Sequence, residues 1–130
     1  MSDNTFAAAF GAYSLAGIEA GGFDDPAKAA ARREQDALEA LIAIRSPHVA
    51  GILGKVEIVA DHVRDYPETY GRLVGELAAC DRELSGPAAD LAQVGEALAV
   101  VARRFEREGL FNGFVRLLGS AAEDARALAA

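Results

Sequence analysis

Apolar residues recur along this chain at steps of three and four, the spacing that gathers them on one face of an α-helix. After Pro47, the residues Val49, Ile52, Val56, Val59 and Val63 form one such stripe. Tyr70, Leu73, Val74, Leu77, Cys80 and Leu84 form a second, followed by Gly86. A third runs through Leu91, Val94, Leu98, Val101 and Phe105, with Gly109 as its stop signal. Residues 110–128 carry Leu110, Phe111, Phe114, Val115, Leu117 and Leu118 ahead of an Ala-rich charged tail, and read as a further helix. The pattern is sparser upstream. Within 26–45 only Leu38, Leu41 and Ile42 stand out as core positions, and residues 4–20 set Phe6, Phe10, Tyr13 and Ile18 among Ala and Gly. No segment alternates β-branched and polar residues, so no strand is expected.

Four prolines, Pro26, Pro47, Pro67 and Pro87, punctuate this pattern. Proline suits the first helical turn, where its missing N–H would have no partner in any case. Asp25 and Ser46 precede two of them and are good N-cap residues. The prolines therefore read as helix starts, although Pro67 could instead kink one long helix over 47–84. Connections of a few residues make consecutive helices antiparallel neighbours. The expected fold is all-α, an up-down helical bundle of four to five helices over residues 26–130. Residues 1–25 are set apart as an apolar Ala/Gly-rich segment, a candidate docking helix.

Composition sharpens that picture. The chain has 130 residues, enough for one core, and 52% of them are hydrophobic, which excludes a disordered polypeptide. Twenty-nine alanines and 13 glycines make that core rich in small residues. Twenty Asp and Glu against 13 Lys and Arg leave a net charge of −7. Four of those excess negatives fall in the first 25 residues. Phosphate binding needs clustered Lys and Arg, so neither nucleic acid nor an anionic membrane surface is an expected partner. The start MSDNTF lacks the positive charge of a secretory signal, and no run of about 20 apolar residues predicts a membrane span. The lone Cys80 requires no oxidising compartment, and a cytoplasmic location is expected.

No constellation in the sequence points to catalysis, a cofactor or a metal. His48 and His62 are about 21 Å apart along one helix, too far to share an ion. Glu57 and His62 are five apart, where a di-iron bundle uses Glu-x-x-His. The run His48-Val49-Ala50-Gly51 lacks the Lys-Gly pair that follows a phospho-accepting histidine in phosphotransfer bundles. Gly51-x-x-Gly54-Lys55 lacks the spacing of a phosphate loop. Cys80 sits on an apolar face beside Glu76 and Asp81, the wrong charge to activate a thiol. Arg103, Arg104 and Arg107 alternate with Glu106 and Glu108, with Arg104 and Glu108 placed to pair at i, i+4.

The stretch from Arg45 to Val56, with Ser46-Pro47, Ala50-Gly51 and Lys55, resembles a segment of small Ala-rich bacterial proteins of unknown function. It covers about a tenth of the chain. The resemblance implies an accessory protein of a bacterium or mobile element and transfers no site residue. The expected function is a non-enzymatic interaction or adaptor protein that binds a protein partner or a second copy of itself. Ala8, Ala12, Ala16 and Ala20 would leave one face of the N-terminal segment smooth, and Phe6, Phe10, Tyr13 and Ile18 are its candidate docking residues. The alternatives are an acidic inhibitor that mimics nucleic acid, and a small enzyme or cofactor binder whose site forms only in three dimensions.

Overall fold

The computed structural model describes residues 6–11, 13 and 24–130. All described secondary structure is helical. The elements are α1 (residues 6–11 and 13), α2 (Asp24–Ala43), α3 (Val49–Val63), α4 (Pro67–Tyr70), α5 (Arg72–Ser85), α6 (Leu91–Arg107) and α7 (Asn112–Ala129). The chain divides into two compact units, Met1–Arg45 and Ser46–Ala130.

The all-α fold is as expected, but the described residues form seven helices in place of four to five. One extra helix comes from Gly71. Pro67 opens a helix of only four residues, and Gly71 ends it with φ +51°, a conformation that side chains with a Cβ rarely adopt. Its N–H bonds to the Pro67 carbonyl at 2.8 Å, and α5 then starts at Arg72. Pro67 thus neither kinks one long helix nor opens a full-length one.

Pro26 falls in the first turn of its helix as expected, whereas Pro47 and Pro87 lie ahead of theirs. α2 already begins at Asp24, ahead of Pro26. Pro87 lies in a turn, and α6 starts later, at a cap made by Asp90, whose carboxylate accepts the Gln93 N–H at 3.1 Å. The far end of α6 closes as a Schellman motif. Gly109, at φ +84°, donates to the Glu106 carbonyl and Leu110 donates to the Phe105 carbonyl. α3 starts at Val49 and not at Pro47, because Ser46 is engaged elsewhere.

Within the second unit the four long helices form a closed ring. α3 packs on α5 and α7, and α6 packs on α5 and α7. Cross-helix pairs show the antiparallel register. Between α3 and α7, Lys55 meets Asp124 while His62 meets Phe114. Between α5 and α6, Glu76 meets Arg104, and Tyr70, at the end of α4 just ahead of α5, meets Phe105. The stripes read from sequence fill the interior: Ile52, Val56, Val59, Val63, Leu77, Leu98, Phe105, Leu117 and Leu118 are all buried. In the first unit Ala37, Leu38 and Leu41 are buried and Ile42 is half-buried.

Small residues set the α6–α7 distance. A Cβ on Gly95 would stand 2.9 Å from the Arg126 Cγ and 3.1 Å from the Ala122 carbonyl oxygen. Ala121, Ala122 and Ala125 are buried on α7. Alanine favours a helix interior over glycine by about 1 kcal/mol, so the surroundings decide the sign of a substitution. Gly75, exposed on α5 with nothing within 4 Å of its Cβ position, has room. Gly75→Ala should raise stability by roughly 0.5–1 kcal/mol in urea titrations, whereas Gly95→Ala should lower it by about 1 kcal/mol or more.

Candidate functional site

Two features of the second unit concentrate chemistry: a polar cluster inside the ring and an open groove outside it. The inner cluster begins with Lys55. On α3 it falls between Ile52 and Val59 at the same three-four spacing as the apolar stripe, so the helix carries it into the core, fully buried. Asp124 on α7 lies seven residues after buried Leu117, which turns it inward too. Lys55 Nζ donates to Asp124 Oδ2 at 2.6 Å and to Ser120 Oγ at 2.8 Å. The Ser46 N–H donates to the same Asp124 oxygen at 3.1 Å.

Ser46 does not cap α3 in the expected way. Its hydroxyl donates to the His48 carbonyl at 2.7 Å and the residue is itself buried. The His48 carbonyl also accepts the Gly51 and Ile52 N–H groups. One carboxylate therefore ties the entry of α3, its middle and α7 together. Every described buried side-chain nitrogen and oxygen has a hydrogen-bond partner.

A lysine beside a serine invites a catalytic reading, but the arrangement opposes it. Lys55 is 0% exposed, Asp124 2% and Ser120 8%, so no substrate reaches them. The cluster works as a pin. Removing one partner of a buried ion pair leaves an uncompensated charge, at a cost of about 3–5 kcal/mol. Lys55→Met and Asp124→Leu should each lose about that much in urea titrations. The double variant should recover at least half of the summed loss, falling short of full recovery because the Ser46 N–H loses its acceptor.

The groove lies between α5 and α6 and has a volume of about 580 Å³. Cys80, Val94, Ala97 and Val101 form its floor, with Val100 half-way out of it at 36% exposure. Glu83 and Glu96 stand at one end, and Arg104 at the other. Arg104 pairs with Glu76 across the groove at 2.7 Å, and not with Glu108 along its own helix as its spacing suggests. Burial pushes the Cys80 thiol above its ordinary value and Glu76 adds to the shift, so the thiolate is scarce at neutral pH. Cys80 is a core residue under an apolar floor.

A smaller groove between α3 and α5 carries Glu57, Asp61 and Asp81 alongside Arg64 and Arg82. Burial, then Asp81, then Asp61 raise the Glu57 carboxyl. Arg64 pairs with Asp61 at 3.0 Å. At one end of the ring, His62 stacks 4.7 Å from Phe114 and 5.7 Å from Tyr66, and Phe111 meets Phe114 edge-on. No three His, Cys, Asp or Glu residues among those described gather to hold a metal.

The docking residues expected from sequence lie in the first unit. Phe6 and Phe10 are half-buried with ring centroids 6.3 Å apart. Tyr13 is half-buried, and burial followed by Glu34 raises its hydroxyl. Ile18, with Ala12, Ala16 and Ala20, lies outside the described residues, and Ala8 is exposed. Sequence reasoning misses Lys55, Asp124 and the groove. Lys55 is visible as a charge at a stripe position, whereas its partner and the groove depend on which helices meet. No described helix is long and apolar enough to cross a membrane. Comparison with known protein families, with curated proteins and with solved structures finds no match to the chain.

Proposed function

We propose that this protein is a non-enzymatic helical interaction module whose second unit presents the α5–α6 groove to a protein partner. The observation that carries the proposal is the division of labour between the two features. The Lys55–Asp124–Ser120 cluster is buried, and its side-chain nitrogen and oxygen atoms have hydrogen-bond partners. The accessible concavity has an apolar floor, charged ends and a partly exposed Val100. Apolar centres with polar rims are the usual anatomy of protein-binding surfaces. Partner binding at Phe6, Phe10, Tyr13 and Ile18 remains a second place to look within the same reading. An acidic mimic of nucleic acid is less well supported, because Arg64 and Arg82 interrupt the Glu57–Asp61–Asp81 group.

The test is capture of partners from native cells by the full chain, a second copy included, followed by mass spectrometry. Val100→Glu should abolish capture of a specific partner while leaving helical content unchanged. The compensated Lys55→Met/Asp124→Leu variant, once shown to fold, should retain it. Loss of the partner in the core variant, with retention in Val100→Glu, would contradict the proposal.

A further inference from the structure

The charges around the α5–α6 groove are ordered along it. On α6, Glu96, Val100, Arg103 and Arg107 follow at steps of four, three and four, and all four are exposed. That row is acidic at one end, apolar in the middle and basic at the other. On α5, Arg72, Glu76, Ala79 and Glu83 follow at the same steps. This row runs from basic through Ala79 to acidic, with Glu76 already neutralised by Arg104. Because α5 and α6 are antiparallel, the two gradients superimpose. Glu83 and Glu96 line one end, and Arg72, Arg103 and Arg107 flank the other beyond the Arg104–Glu76 pair, with exposed Glu106 and Glu108 interleaved among the α6 arginines.

A face with an acidic end, an apolar centre and a basic end is complementary to itself when turned through a two-fold axis. We propose, resting on the reading of this groove as the interaction surface, that its occupant is a second copy of this chain, docked antiparallel through α5 and α6. In that pairing Val100 and Ala79 lie near the axis, and Glu83 and Glu96 of each copy face Arg72, Arg103 and Arg107 of the other. The overall charge of −7 opposes self-association only weakly. Screening removes most repulsion beyond about 8 Å at physiological salt, whereas the charges meeting at the interface are opposite. The rows span about 16 Å, 11 residues at 1.5 Å each. Two helices of that length offer less than the roughly 800 Å² per partner of a standard interface, so the dimer is weak and salt-sensitive.

Analytical ultracentrifugation of the full chain from about 10 μM to about 1 mM covers the range in which so small an interface titrates. The wild type should pass from monomer to dimer, with weaker association at high salt. Glu83→Lys/Glu96→Lys makes both ends basic, and Arg103→Glu/Arg107→Glu weights both ends acidic. Each variant alone should dimerise at least about tenfold more weakly. Mixed in equal amounts they should recover association as a heterodimer, because opposite charges then meet at both ends. Glu96→Lys alone, which leaves the Glu83 hydrogen bond to the Asp90 N–H intact, serves as a second basic variant. Circular dichroism confirms that each variant is helical.

Failure of the mixture to associate, a wild type monomeric throughout, or a dimer indifferent to both reversals overturns the proposal. If any of these occurs while Val100→Glu still loses a captured partner, the groove remains the interaction surface and only its occupant was misassigned.

Discussion

The pairing of one buried lysine with one buried carboxylate organises the second unit. Lys55 sits on the inner face of α3 among Ile52, Val56 and Val59, where an unpaired ammonium would be prohibitively costly. Only one rotation and one height of α7 bring Asp124 and Ser120 to its Nζ. The same carboxylate accepts the Ser46 N–H, which also places the stretch of chain entering α3. Hydrophobic burial supplies the driving force for the ring but is tolerant of sliding by a turn. The ion pair is not. It therefore acts as a register device, selecting one packing among several that would bury similar apolar area.

Close packing elsewhere follows from small residues. Gly95 lets α6 approach α7 to within contact of the Ala122 carbonyl, and buried Ala121 and Ala125 continue that contact. Caps then hold the lengths of the helices, with Asp90 at the start of α6 and the Gly109 turn at its end. With α7 pinned on one side and drawn close on the other, α5 and α6 are left with an outward groove between them. The interior uses its polar groups on one another, and the exterior of α5 and α6 carries an open groove with an apolar floor.

The three-four stripes make the helices and most of the core legible in the amino-acid sequence alone. Leu98, Phe105 and Leu117 lie where their spacing places them. The prolines are poorer guides. Pro87 occupies a turn because Asp90 offers a better cap, and Pro47 yields to Ser46, whose hydroxyl and N–H are both engaged. Gly71 ends α4 through a positive φ that a helical pattern does not reveal. The Ser46-to-Lys55 segment holds two of the groups that converge on Asp124. Their convergence is invisible along the chain, because Asp124 lies 69 residues from Lys55 and nothing local links them. The groove is hidden for the same reason: each of its rows is ordinary on one helix, and its polarity appears only when two antiparallel helices are set side by side.

If Asp124 pins the entry of α3 to α7, the amide that reports on it is that of Ser46. This N–H lies outside any helix and owes its protection to a single carboxylate oxygen. Native-state hydrogen exchange measured across a urea series is the direct test. The pin predicts that the Ser46 amide exchanges only through global unfolding, with the same denaturant dependence as the core amides of α3 and α7. Fast exchange at Ser46, independent of urea while Ile52 and Leu118 remain protected, would show that the entry opens locally and would contradict the account.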